Sequence, residues 1–201
     1  MGRKDLVIVG GIALIAGLLG GFLGEKITPE ISNEERIAEY YATEVAVMVS
    51  PHSLRKKMGE GKVVLVDLRS QEEYEADHII TALNVPAYKN ANESAYGDVE
   101  RIVQSFAELR AQNPNKDIVV YCYSRPCMTG RTIGNMLAEH GIYVKHLGIG
   151  WNEWKYGWDM WNHDGETKVN EADYRKSGAE PGVLPSGEHP EACPIEGEFS
   201  C

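Results

Sequence analysis

Four short apolar runs punctuate the middle of the chain, and helical patterns separate them. Residues 63–66 (Val63-Val64-Leu65-Val66) are apolar at successive positions, the signature of a strand buried on both faces. Residues 118–121 repeat the pattern, residues 84–86 form a briefer strand, and residues 143–147 return as a fourth. Between them, Ser50-Pro51 opens a helix that carries Leu54 and Met58 and ends at Gly59 or Gly61. Ser70-Gln71-Glu72-Glu73 has the form of a capping box. Residues 95–112 align Val99, Ile102, Val103, Phe106 and Leu109 on one helical face, and residues 130–140 form a helix stopped by Gly141. Upstream, Ser32-Asn33-Glu34-Glu35 starts an amphipathic linker helix within residues 25–49, marked by Ile37, Tyr40, Tyr41, Val45 and Val49. Alternating strands and helices predict an α/β fold with a mainly parallel sheet covered on both faces, and ligands at the strand carboxyl ends.

The pattern changes at both ends. Residues 6–23 carry no charge, follow Arg3 and Lys4, and approach the ~20 apolar residues that a transmembrane helix needs. Residues 1–24 therefore read as a signal-anchor, with a cleaved signal peptide as the alternative because Gly20, Gly21 and Gly24 are small. The basic pair ahead of the segment keeps the amino terminus in the cytoplasm, which makes the protein single-pass in the cell membrane with its globular part on the extracytoplasmic side. From about residue 161 to 201 the chain is rich in Gly, Pro, Glu and Ser with little apolar periodicity, and it reads as an irregular tail. The main domain is left with residues 50–160.

A hydrophobic content of 43% suffices for a core, and a net charge of -10 with no basic run argues against nucleic acid as a partner. In an exported chain the four cysteines invite pairing, Cys122 with Cys127 and Cys193 with Cys201. A Cys193–Cys201 bridge would pin the tail; free thiols or a metal are the competing states, although two cysteines with no well-placed histidine make a poor zinc site. His163, Asp164 and Glu166 form a solvated acidic stretch rather than a metal site. Trp151, Trp154, Trp158 and Trp161 recur near one helical turn and read as a packing stripe, although Trp151 stands where it can wall a site mouth.

The candidate chemistry lies at Val119-Val120-Tyr121-Cys122, where a strand stops at a cysteine and a polar loop feeds a helix. Loop amides and a helix amino terminus favour a thiolate there, and Arg125 or Arg131 would lower its pKa further.

The chain resembles single-domain rhodaneses, the sulfurtransferases. The resemblance runs through Val64-Leu65-Val66-Asp67-Leu68-Arg69, Glu73-Tyr74 with His78-Ile79, and Ala82-Leu83-Asn84-Val85-Pro86. It continues through Val119-Val120-Tyr121-Cys122 and Leu147-Gly148-Ile149-Gly150-Trp151-Asn152-Glu153-Trp154. It implies a three-layer α/β sandwich around a five-stranded, mainly parallel sheet. It also implies Cys122 as a nucleophile that carries sulfane sulfur as a persulfide, without a metal or organic cofactor. Tyr123, Ser124, Arg125, Pro126, Cys127, Met128, Thr129, Gly130 and Arg131 would surround a small donor, thiosulfate or a persulfide, and a thiol or cyanide-like acceptor. The loop is longer than the family's compact one, which leaves donor choice open. Related phosphatases need Cys-x5-Arg, but Met128 occupies that arginine's position, which argues against phosphatase chemistry. Cys127 is open among a redox or resolving partner of Cys122, a disulfide partner, and a packed loop residue. Asp67 and Arg69 read as loop anchors and His78 as scaffold. A non-catalytic binding module and a Cys122/Cys127 thiol-disulfide protein are the alternatives to a sulfurtransferase.

Overall fold

A computed structural model describes residues 31–162 and 169–185. The chain divides into two compact units, Met1–Thr43 and Glu44–Cys201. Helix α1 (Asn33–Val47) begins in the first. Its capping box is reciprocal: Ser32 N donates to Glu35 Oε2 at 2.8 Å, and Glu35 N donates to Ser32 Oγ at 3.1 Å. The apolar positions of this amphipathic helix, Ile37, Tyr40, Tyr41 and Val45, are exposed. The helix also stops earlier than expected. Met48–Val49 form strand β1, drawn into parallel pairing with Leu147 and its neighbour.

Within the second unit the strands are β2 (Val63–Asp67), β3 (His78–Ile79), β4 (Leu83–Asn84), β5 (Tyr88–Asn90), β6 (Glu93–Ser94), β7 (Asp117–Tyr121), β8 (Lys145–Leu147) and β9 (Arg175–Lys176). The main sheet has the order β1-β8-β7-β2-β4, with every pairing parallel. The helices are α2 (Pro51–Gly59), α3 (Gln71–Ala76), α4 (Val99–Gln112), α5 (Thr129–Glu139), α6 (Trp151–Tyr156) and α7 (Trp158–Trp161).

The alternation of side chains along β2 and β7 divides the core into two layers. Leu65, Val119 and Tyr121 join Leu54, Ile79, Trp154, Trp158 and Tyr174 on one face. Val64, Val66, Ile118 and Val120 meet Ile102, Phe106, Ile133 and Leu137 on the other. Both faces of the strands are thus buried, as their unbroken apolar runs require. The tryptophan stripe is a packed cluster: Trp154 stacks on Trp161 at 5.4 Å, and Arg55 lies 5.5 Å over Trp158.

Two expectations change. The helix read over residues 95–112 starts at Val99, after Gly97 and the N-cap Asp98, and Tyr96 ahead of it reaches Thr129 instead of joining the helix. Residues 169–185 are mostly without regular structure, yet they do not dangle. Tyr174 is buried, Trp154 Nε1 donates to its carbonyl at 3.1 Å, and β9 pairs antiparallel with β3. A single buried aromatic and a few backbone bonds anchor this segment where periodicity gave no signal. Cys193, Cys201, His163, Asp164, Glu166 and the expected membrane segment lie outside the described residues. Among the described residues no helix is long and apolar enough to cross a membrane.

Candidate active site

Strand β7 lies between β8 and β2, so its carboxyl end opens near the middle of the sheet. Cys122 follows it directly and is only 2% exposed. A loop of residues 123–128 then leads into α5. Cys127 N donates to Ser124 O at 3.0 Å, which turns the loop back over the strand end. As a result the two thiols meet, with Cys127 Sγ and Cys122 Sγ sharing a hydrogen bond at 2.9 Å.

The loop is clamped from the α6 side. Trp151 N donates to Cys122 O and Asn152 N to Tyr123 O, both at 2.8 Å. Glu153 accepts from Arg125 N at 3.2 Å and from Gly150 N at 2.9 Å. Gly150 approaches so closely that a Cβ there would stand 2.2 Å from Ser124 N. That contact is with backbone, which cannot swing away, so this position admits only glycine in the observed geometry.

Hydroxyls enclose the other side. Thr129 Oγ1 lies 3.3 Å from Cys127 Sγ, 2.8 Å from Tyr88 OH and 2.6 Å from Tyr96 OH. Tyr123 OH donates to Glu73 Oε2 at 2.6 Å, and the same oxygen accepts from Ser70 Oγ at 2.6 Å. The second capping box is therefore tied to the loop. The Tyr88 and Tyr123 rings meet edge to face at 5.1 Å.

The electrostatics differ from the sequence expectation. Burial pushes the Cys122 thiol up, and the hydrogen bond with Cys127 adds to that. For Cys127, burial also raises the pKa. Hydrogen bonds from Cys122, the Thr129 side chain and the Thr129 and Tyr123 backbone outweigh it, and its thiol is held below the ordinary value. Ionisation of the pair is thus eased at Cys127 and opposed at Cys122. Arg131 does not approach either sulfur through a charge contact; its Nη1 faces the carbonyls of Arg125 and Cys127 at 3.5 and 3.4 Å. Arg125, Pro126 and Met128 are exposed. The expected ring of loop amides is also only partly free, since Glu153 takes the Arg125 N–H and Ser124 O takes that of Cys127.

Of the residues the sequence nominated, Cys122, Tyr123, Cys127 and Thr129 converge, Ser124 and Gly130 are framework, and Arg125, Pro126, Met128 and Arg131 face outward. Gly130 packs against His146, where a Cβ would stand 2.2 Å from the ring. A cavity of about 720 Å³ involving Gly130, Ile118 and Tyr143 does not include either cysteine. Asp67 and Arg69 form a buried ion pair at 2.6 Å, with Asp67 Oδ2 also accepting from Tyr121 OH at 2.6 Å. His78 stacks on Tyr74 at 3.8 Å and contacts Tyr74 O through Nδ1, a scaffold role. Sequence reasoning missed Tyr88, Tyr96 and the clamp of Glu153. Tyr88 comes shortly after β4, at the same edge as Cys122, which was the available signal.

The model of the rhodanese-like domain matches residues 50–156. The chain belongs to the rhodanese-like family. A curated relative, the HTH-type transcriptional regulator Rv0324 of Mycobacterium tuberculosis, is 28% identical over 132 residues, covering 63% of this chain and 52% of its own. The chain thus spans about half the length of that relative. Similar solved structures include the BH2092 protein from Bacillus halodurans, 20% identical over 73% of this chain and 88% of that one, with a TM-score of 0.48. The thiosulfate sulfurtransferase from Pseudomonas aeruginosa is 19% identical over 55% of this chain and 19% of that one, TM-score 0.40. A human single-domain sulfurtransferase is 23% identical over 54% and 94%, TM-score 0.41. In this rhodanese-like domain the sheet brings Cys122 to a strand carboxyl end, and the second thiol of Cys127 comes with it.

Proposed function

We propose that this rhodanese-like protein is a sulfurtransferase that accepts a sulfane sulfur on Cys122. The observation that carries the reading is Cys122 at the carboxyl end of β7 with a second sulfur 2.9 Å away. In the first half-reaction Cys122 Sγ attacks the outer sulfur of thiosulfate or of a persulfide. The Cys122 proton passes to water as the thiolate forms, and that thiolate is the nucleophile. With thiosulfate, the sulfur–sulfur bond breaks, sulfite leaves with the bonding electrons, and Cys122 keeps the sulfane sulfur as a persulfide. Burial works against the Cys122 thiolate, in contrast to the sequence expectation that loop amides with Arg125 or Arg131 favour it. A thiol or a cyanide-like anion is the acceptor class for the second half-reaction.

The test is a single turnover. Reduced full-length protein mixed with thiosulfate is expected to release one sulfite per chain; no sulfite from thiosulfate, together with neither sulfur uptake nor sulfide release from a cysteine persulfide, sinks the reading.

We further propose that residues 6–23 anchor the chain and that the domain lies outside the cytoplasm, which Arg3 and Lys4 ahead of that apolar run support. A membrane-impermeant maleimide should label Cys127 in intact, mildly reduced cells. Labelling only after lysis contradicts the orientation.

A further inference from the structure

The two sulfurs stand in a geometry that selects one product of the loaded enzyme. Cys127 Sγ lies 2.9 Å from Cys122 Sγ, the atom that becomes the inner sulfur once Cys122 carries a persulfide. A disulfide bond is about 2.05 Å, so closure needs a movement of roughly 1 Å. The hydrogen bond from Cys127 N to Ser124 O already holds the loop in the returning turn. Attack on the outer sulfur would hand the sulfane sulfur to Cys127; attack on the inner one expels it. The neighbour of Cys127 is the inner one.

We propose that Cys127 resolves the Cys122 persulfide by attacking its inner sulfur, so that the site releases hydrosulfide and acts as a persulfide reductase. The proposal rests on the reading of Cys122 as the sulfane carrier. Cys127 Sγ forms a bond to Cys122 Sγ, and the bond from Cys122 Sγ to the sulfane sulfur breaks. The sulfane sulfur departs with both electrons of that bond and with the proton of the Cys127 thiol, as HS⁻. The sulfane sulfur is reduced and the two cysteines are oxidised to a disulfide. In-line displacement requires the sulfane sulfur to stand on the side of Cys122 away from Cys127.

Two further features suit this step. Cys127 ionises more readily than Cys122, and Thr129 Oγ1 at 3.3 Å, tied to Tyr88 and Tyr96, holds its sulfur in position. Cys127 is also the less buried of the two. A thiol reductant therefore reaches its sulfur first, forms a mixed disulfide there and frees Cys122. Two thiol equivalents restore the dithiol and leave as one disulfide. With thiosulfate the overall reaction consumes two thiols and yields sulfite, hydrogen sulfide and a disulfide.

The test uses reduced full-length protein, free of oxygen and added thiol, with thiosulfate and separately with a cysteine persulfide as donor. Wild type is expected to release one sulfide per chain and to lose the mass of two hydrogens, with no stable gain of sulfur. Cys127→Ser, run to completion, is expected to gain one sulfur atom that cyanide removes as thiocyanate, and to release no sulfide. The proposal is overturned if wild type keeps the added sulfur and releases no sulfide while Cys127→Ser loads in the same way. It is equally overturned if Cys127→Ser releases as much sulfide as wild type. Failure of both proteins to take up sulfur from either donor overturns the underlying reading of Cys122 along with it.

Discussion

Cys122→Ser is expected to reduce sulfite release from thiosulfate by about 10³-fold or more, with the fold retained. A serine hydroxyl has no anionic state near neutral pH. The substitution removes one polarizable atom from a buried position and leaves a hydroxyl beside Cys127, so the packing around β7 changes little. The measurement is single-turnover sulfite release alongside thermal unfolding. An active Cys122→Ser protein would move the chemistry elsewhere, and Cys127 would be the next thiol to consider. Inactivity accompanied by unfolding would say nothing of the nucleophile, which is why both readouts are needed.

Arg69→Met is expected to destabilise the domain by about 3–5 kcal/mol, because it strands the Asp67 carboxylate in the interior. Asp67 is fully buried and Arg69 is 3% exposed. The guanidinium donates to both carboxylate oxygens and to Asp77 O, and lies 4.5 Å over the Trp151 ring. Burial opposes the charged guanidinium, but the Asp67 carboxylate beside it outweighs burial, and the Arg69 pKa is raised overall. Combining Asp67→Asn with Arg69→Met removes the isolated charge, and the double variant should be more stable than Arg69→Met alone. Urea unfolding of the three proteins measures this. A catalytic arginine would instead lose sulfite release with unchanged stability, an outcome at odds with the framework role.

Much of this architecture was readable in the chain because it rests on local rules. Unbroken apolar runs at β2 and β7 identified strands buried on both faces, and Ser32-x-x-Glu35 and Ser70-x-x-Glu73 marked helix starts that their hydrogen bonds bear out. The rhodanese-like blocks supplied the layered α/β arrangement. What escaped depends on contacts between distant segments. The short strands β3 and β9 pair across nearly a hundred residues, and neither is long enough to show a period. Tyr88, Tyr96 and Thr129 converge only after β4, the loop before α4 and α5 have packed.

The site itself was partly visible. Cys122 stood out as a strand-end cysteine, and Cys127 stood out by spacing alone. The direction of the ionisation did not follow from spacing, since Arg125 is exposed and the Arg131 guanidinium faces the carbonyls of Arg125 and Cys127. The distance that gives Cys127 its role comes from the loop turn at Ser124 and from the α6 clamp through Glu153 and Gly150.

The central claim is that sulfane sulfur rests on Cys122. Cys127→Ser, which keeps any persulfide from being resolved, is loaded with thiosulfate or a cysteine persulfide, trapped with an alkylating agent and mapped by peptide mass spectrometry. The account predicts one additional sulfur atom on the peptide that contains Cys122. Added sulfur on the Cys193 or Cys201 peptide, or none on any peptide, would contradict it.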